Sequence, residues 1–246
     1  MINKIAILGM GISGIGVADF LIKKSKKLVI WDDNKAIREK NKKYKNFMQD
    51  LNVYDWRNSN ILVVSPGIPK NNLIIKKAIK SNIKIIGDIE LFWQLLYKED
   101  KNIKIIGITG TNGKSSVTSM VARVLKVKPF GNIGTSILEI DTSNQINKFI
   151  VVELSSFQLD LVNDFSPHIS AIINIKPDHI DHHGSYDAYL KAKRKIYKRQ
   201  TKNNFIIINT DDPVLRDEKK IISEKKDFPN IINISTEREV FNGVSI

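Results

Sequence analysis

Three observations predict an α/β protein built from two parallel-sheet domains in tandem. Short Ile- and Val-rich runs alternate with amphipathic stretches along the whole chain. One glycine turn, Gly9, Gly11 and Gly14 in G-x-G-x-x-G order, follows the first run, and a second, around Gly110 and Gly113, precedes Lys114-Ser115. The apolar runs show no polar alternation, the pattern of strands buried on both faces, and strands separated by helices imply parallel pairing. A glycine turn between a strand and a helix turns backbone N–H groups and the positive helix end toward a phosphate. The predicted fold is a Rossmann-like N-terminal domain, residues 1–98, followed by a P-loop ATPase-type α/β domain, residues 99–246 and incomplete at its C-terminus.

The predicted strands are Ile5–Leu8, Leu28–Trp31, Ile61–Val64, Ile83–Ile86, Ile103–Ile108, Phe149–Val152, Ala171–Ile173, Phe205–Ile208 and Ile231–Ile234. Helical periodicity falls between them at Ile15–Lys24, Leu73–Lys80, Lys114–Lys126 and Tyr186–Tyr197, with a basic helix at 35–45. The polar stretch YKEDKN (97–102) separates the two glycine-containing halves.

The first apolar stretch, Ile5 to Ile22, is interrupted by its glycines and Asp19 and lacks a small-residue cleavage site after it, so it reads as strand, turn and helix rather than membrane span or signal. The absence of cysteine excludes disulfide and thiolate chemistry and agrees with a cytoplasmic setting. A formal charge of +13 raises the question of nucleic acid. The basic residues, however, are spread along helices without interleaved aromatics, in a composition rich in Lys, Asn and Ile throughout. Neither a nucleic-acid nor a membrane partner is expected.

Acids follow both glycine turns. Asp32 and Asp33 end the second strand, the position that in dinucleotide-binding folds meets a ribose hydroxyl. Taken alone, that pairing points to NAD and hydride transfer. The second turn, GTNGKSS (110–116), points instead to ATP: Lys114 supplies a point charge to a phosphate and Ser115 a hydroxyl to a phosphate-bound Mg²⁺, although Ile108 occupies the first glycine position of the strict P-loop spacing. Glu153, at the carboxyl end of a strand, is placed to hold that Mg²⁺. NIKPDHIDHHGS (174–185) concentrates three of the chain's four histidines after another strand. His179, nearest the strand end, is the candidate for metal or acid–base work, and His182 and His183 read as solvent-exposed imidazoles.

Together, GTNGKSS, ELSSFQL (153–159) and NIKPDHIDHHGSYDAYLKAKRKIY (174–197) resemble the ATP-dependent Mur ligases of peptidoglycan synthesis. ELSSFQL, with SPGIP (65–69) and GDIELF (87–92), narrows the resemblance to the branch that adds D-glutamate. The resemblance implies an ADP-forming ligation. ATP phosphorylates the carboxylate of UDP-N-acetylmuramoyl-L-alanine, and the amine of D-glutamate displaces phosphate from the acyl phosphate. It implies that Gly110, Thr111, Asn112, Gly113, Lys114, Ser115 and Ser116 bind ATP, and that Lys114, His179 and Lys193 are catalytic. Ser115, Glu153, His179 and Lys193, the last carbamylated, would hold Mg²⁺. Spacing alone does not choose Lys193 over Lys191 or Lys195, whose ordinary place is a solvated helix face. For the UDP-sugar it implies Ser13, Asp32, Asp33, Ser65, Gly67, Asn132, Ser155, Gln158 and His179. It also implies a cytoplasmic monomer and a third domain, carrying the D-glutamate site, beyond Ile246, so that residues 1–246 alone would not complete ligation. Another Mur-type ligase, a folylpolyglutamate synthase, a non-catalytic nucleotide-binding fragment and an NAD-dependent oxidoreductase are the alternatives. The oxidoreductase leaves GTNGKSS, Glu153 and the His179 segment unexplained.

Overall fold

The computed structural model describes residues 4–97, 103–140, 149–224 and 226–245. The expected boundary at 98/99 lies outside them. The first sheet contains β1 (Ile5–Leu8), β2 (Leu28–Trp31), β3 (Ile61–Val64) and β4 (Lys84–Ile86), all parallel, in the order β2-β1-β3-β4. Between and after these strands run α1 (Ile12–Lys23), α2 (Lys35–Lys40), α3 (Leu73–Lys80) and α4 (Asp88–Phe92). The second sheet contains β5 (Lys104–Thr109), β6 (Pro129–Gly131), β7 (Phe149–Glu153), β8 (Ile169–Ile172), β9 (Phe205–Asn209), β10 (Asn230–Ser235) and β11 (Gly243–Ser245). It too is parallel, in the order β11-β10-β9-β8-β5-β7-β6. Its helices are α5 (Lys114–Val124), α6 (Ser156–Asp160), α7 (Ile180–His183), α8 (Tyr186–Lys198) and α9 (Pro213–Ser223).

Continuous apolar strands become two-sided burial. In β1, Ile5 and Ile7 enter one core cluster and Ala6 and Leu8 the other, as a period of two on a doubly covered sheet requires. The larger cluster continues from the first sheet into the second through Val17, Ile89, Ile137 and Leu159. The basic helix expected over 35–45 is shorter: α2 ends at Lys40 and a 3₁₀ segment, Lys42–Phe47, follows. The break lies at Asn41, whose side-chain amide bonds back to the Ile37 carbonyl, the local competition that makes asparagine a poor interior residue. Among the described residues no helix is long and apolar enough to cross a membrane.

Both sheets reverse strand order beside a glycine turn. β1 lies between β2 and β3, and β5 lies between β7 and β8, so each turn opens at a topological switch point, where α/β sheets leave a crevice. Helix capping differs from helix to helix, and the short α4 and α7 have no side-chain cap. Asn34, Asn72, Ser155, Ser185 and Asp212 cap α2, α3, α6, α8 and α9 with side-chain oxygens. α1 and α5 instead start from Gly11 and Gly113, which have no side chain to offer, so their first amides remain for another acceptor.

Candidate functional site

At the first switch point the glycines have separate duties. Gly9 has φ +100°, and a Cβ there would lie 2.5 Å from Ser65 Oγ. A Cβ on Gly14 would lie 1.9 Å from the Gly9 carbonyl oxygen, so the turn can close on α1 only without side chains. Ser65 Oγ, wedged between the two glycines, is buried and has no hydrogen-bond partner among the described residues. Asp32 closes the turn from the side: Oδ2 accepts the Met10 N–H at 2.9 Å and Oδ1 the Asn34 N–H. Asp33 accepts from Trp31 Nε1, Asn52 and Asn72, and Arg38 stacks over the Trp31 ring at 4.1 Å. Gly67 lies in an open turn, with nothing near the space a Cβ would take. The buried Asp88 carboxyl accepts the Ile89 N–H at 2.9 Å. Burial pushes the Asp88 carboxyl above its usual range, with the polar groups of Ser13, Ile89 and Gln158 opposing the rise.

At the second switch point Gly110 and Gly113, the latter at φ +77°, shape the loop, and a Cβ on Gly110 would lie 2.4 Å from Ile173. Asn174, just past β8, steadies it: its Oδ1 accepts the N–H of Thr111 at 3.0 Å and of Asn112 at 2.9 Å. Thr111 Oγ1 receives the Lys176 N–H and meets Tyr189 OH at 2.8 Å. Lys114 Nζ folds onto the Thr111 carbonyl of its own loop at 2.7 Å. Ser115 and Ser116 are exposed on the first turn of α5.

Glu153 pairs in register with Ile108, two residues before Gly110, and is 1% exposed. Its Oε1 accepts Asn132 Nδ2 at 2.7 Å, and its Oε2 is buried without a hydrogen-bond partner among the described residues. A buried carboxylate oxygen left unbonded is costly unless a cation or donor meets it, so this atom fits a metal ligand. No group of three or more His, Asp or Glu side chains converges on a metal position among the described residues. A cation here therefore needs donors of another kind: a hydroxyl, a phosphate or a modified lysine.

α8 answers the lysine question. Lys193 is 1% exposed, and its Nζ donates to the Gly110 carbonyl at 2.7 Å and to Thr109 Oγ1 at 3.3 Å. Burial, then the nearby Lys114 charge, lowers its amine to about 7, with Asp178 opposing. Lys191 instead pairs with Asp187 at 2.7 Å, its side chain 68% exposed. Lys195 donates to the carbonyls of Asp160 and Val162.

The histidine segment requires a correction. His179, at φ +51°, is exposed beside Asp178 and against the Phe157 ring, centroids 4.7 Å apart. His182 is half-buried, but His183 is not a solvent-exposed imidazole. It is buried in α7, stacked on Phe157 and bonded through Nε2 to Ser156 Oγ at 3.0 Å, with Nδ1 3.9 Å from Asp160 Oδ2. Burial holds its pKa below the usual imidazole range. Ser155 and Gln158 form a capping box on α6, so part of their hydrogen-bonding capacity is used locally. Asn174 and Tyr189 lie in stretches singled out in the sequence, but no local signal marked them, since each acts across the fold.

Comparison with known proteins agrees with this arrangement. Residues 108–243 match the Mur ligase middle domain, and residues 3–87 match the N-terminal domain of MurD-like Mur ligases. The chain is 36% identical to UDP-N-acetylmuramoylalanine–D-glutamate ligase of Rickettsia prowazekii, over 99% of this chain and 54% of that protein. It is 38% identical to the protein of the same name from Fusobacterium nucleatum, over 91% of this chain and 50% of that protein. The chain thus spans about half the length of the curated relatives it matches. Among solved structures, a UDP-N-acetylmuramate:L-alanyl-γ-D-glutamyl-meso-diaminopimelate ligase from Neisseria meningitides superposes with a TM-score of 0.61 at 15% identity, covering 95% of this chain and 78% of that one. The UDP-N-acetylmuramate–alanine ligase of Thermotoga maritima gives 0.52 at 20% identity, covering 96% and 53%. These two establish the shared fold, and the matched domain over more than half the residues establishes kinship: the chain belongs to the Mur ligase family.

Proposed function

We propose that this chain carries the UDP-sugar- and ATP-binding parts of an enzyme that joins D-glutamate to UDP-N-acetylmuramoyl-L-alanine through an acyl phosphate, releasing ADP and phosphate. In this reading residues 1–98 bind the UDP-sugar and residues 99–246 bind ATP, and the enzyme works as a monomer in the cytoplasm. The observation that carries the reading is the buried Lys193 amine beneath the phosphate loop, lowered to about 7. A lysine held near neutrality can react with CO₂ as a free amine, and the resulting carbamate supplies an anionic ligand facing the same loop.

The chain's own groups then divide the work. The uncapped N-termini of α1 and α5 accept the diphosphate of the UDP-sugar and the phosphates of ATP. Lys114 leaves its bond to the Thr111 carbonyl and meets the charge on the transferring phosphoryl group. Ser115, Glu153 through its unbonded Oε2, His179 and a carbamate on Lys193 would hold Mg²⁺. When bound, Mg²⁺ neutralises phosphate charge and orients the oxygens for in-line transfer. Ser13, Asp32, Asp33, Ser65, Gly67, Asn132, Ser155 and Gln158 line or brace the UDP-sugar crevice.

Isothermal titration of the 246-residue chain with UDP-N-acetylmuramoyl-L-alanine, and separately with a non-hydrolysable ATP analogue plus Mg²⁺, tests the reading. Both should bind, and UDP-glucose should bind more weakly than the muramoyl substrate. A folded chain that gives no heat with the muramoyl substrate refutes the assignment.

A further inference from the structure

The turn that follows α6, residues 161–165, is gripped from both sides of the seam between the two sheets. From the side of the first sheet comes Glu90 on α4, fully buried. Its Oε2 accepts the backbone N–H groups of Asn163 at 2.9 Å, Asp164 at 3.0 Å and Phe165 at 3.1 Å. Its Oε1 accepts the Asp164 N–H at 3.2 Å and Gln94 Nε2 at 2.7 Å. Gly87, just before α4, donates its N–H to the Leu161 carbonyl at 3.2 Å, and a Cβ there would crowd Leu161 Cβ at 3.0 Å. From the side of the second sheet, Lys195 of α8 donates to the Val162 carbonyl at 3.2 Å, and Arg199, just past α8, to the Asn163 carbonyl at 3.0 Å. α8 is also the helix that carries Lys193. A separate contact lies nearer the first crevice: a Cβ on Gly16 of α1 would lie 2.6 Å from Ser136 Oγ, in the same segment as Asn132, the partner of Glu153. Three successive N–H groups aimed at one point make a concavity that takes an anionic group, and a side chain 73–75 residues earlier fills it. Among the described residues, every bond that Glu90 makes through its carboxylate, apart from that to Gln94, crosses the seam.

We propose that Glu90 is a positioning residue that locks the first sheet onto the 161–165 turn braced by α8, so that the glycine-turn crevice of the first sheet and the Lys193 side of the second keep one fixed spacing. A ligand that reaches from one crevice to the other then meets a site already set, and binding does not have to order the joint. The ligand's identity rests on the UDP-sugar reading above, whereas the lock rests on the bonds themselves. They also explain why an acid stands here. Glutamine keeps one oxygen for the three amides but turns an NH₂ group toward the Asp164 N–H and the Gln94 amide, and alanine accepts nothing. Without an acceptor, buried N–H groups are stranded unless the turn moves away from α4.

Spin-label distances test the lock without any ligand. The chain has no cysteine, and Val53, before β3, and Val124, at the end of α5, are 82% and 79% exposed, so Val53→Cys with Val124→Cys places one label on each side of the seam. Double electron–electron resonance should give a single narrow distance with Glu90 and a broader or shifted distribution with Glu90→Ala, with Glu90→Gln intermediate, in samples that circular dichroism shows to be folded. A residue serving only its own helix would lower stability and leave the distance unchanged, so an unchanged distribution in Glu90→Ala overturns the proposal. If Glu90→Ala does not fold, the same comparison is read from Glu90→Gln. Titration then compares UDP, which fills the first crevice alone, with UDP-N-acetylmuramoyl-L-alanine, which reaches across. Glu90→Ala should weaken the muramoyl ligand about tenfold, as when a freed joint holds the competent arrangement about a tenth of the time, and leave UDP within about twofold. Equal losses for both ligands overturn the role of the lock in binding. A wild type that binds UDP but not the muramoyl ligand refutes the ligand reading, and the distance result then decides Glu90 alone.

Discussion

Replacing Lys193 with methionine should stabilise the protein at neutral pH and abolish a specific pH dependence. Lys193 is buried, so water does not screen its charge. Its amine falls from the ordinary 10.5 to about 7, through lost hydration first and the Lys114 charge second. At 1.36 kcal/mol per pH unit, that drop corresponds to ~5 kcal/mol for carrying the charge in the folded site. Methionine removes this cost but leaves the Gly110 carbonyl without its donor, a loss of about 1–3 kcal/mol. The variant should therefore be more stable by about 2–4 kcal/mol at pH 6.5. Below pH 7 both folded and unfolded lysine are charged, and the full cost is present. Between about 7 and 10.5 the unfolded chain holds a proton that the folded chain has released, so wild-type stability rises with pH across that window. From pH 7.5 to 9.5 the gap between variant and wild type should close by ~2.7 kcal/mol, the effect of one proton over that range. Urea denaturation of both proteins in CO₂-free buffer measures the gap, and other titrating groups cancel in the difference. A gap independent of pH would refute the assignment of a nearly neutral amine to Lys193. A carbamate carbon signal after adding ¹³C-bicarbonate, absent in the methionine variant, is the companion result.

Glu90→Ala should lower stability by about 3 kcal/mol in urea denaturation, because it removes the shared acceptor of three backbone N–H groups. Glu153→Gln should leave thermal stability within about 1 kcal/mol, since the unbonded Oε2 holds nothing in the folded chain. It should also erase the gain in ATP-analogue affinity that Mg²⁺ confers, and wild type treated with EDTA should match it. Lys114→Met should weaken the analogue about tenfold or more without a stability loss, because among the described residues its amine bonds only to its own loop. Gly14→Ala should lower the melting temperature markedly, as its methyl would lie 1.9 Å from the Gly9 oxygen, and a melting temperature equal to wild type would contradict the close approach.

Much of the fold could be read locally. β1, β2, β3 and α3 occupy the residues their apolar pattern predicts, because buried parallel strands and an amphipathic helix write their burial directly into residue order. α4, α6 and β6 carry no such signal: each is three to five residues long and is held by contacts across the seam or to β7. Site residues divide similarly. Gly110, Gly113 and Lys114 are legible because backbone geometry and loop charge are local properties. Lys191, Lys193 and Lys195 share one helix and one chemistry, and the choice among them depends on what the facing surface contains. His183 shows the limit of pattern: set among polar residues, it reads as a surface group, yet Phe157 and Ser156 supply a stack and a partner that draw it inside.

By itself the sequence determined the two parallel-sheet units, the glycine turns at their switch points and the family to which the chain belongs, all of which rest on short-range pattern. Only tertiary structure decided which lysine lies beneath the phosphate loop, which carboxylate oxygen lacks a partner and which acid gathers the backbone N–H groups of residues 163–165. Burial, desolvation and hydrogen-bond convergence depend on groups brought from distant parts of the chain, and residues such as Thr111, Asn174 and Tyr189 meet only once the fold has placed them together.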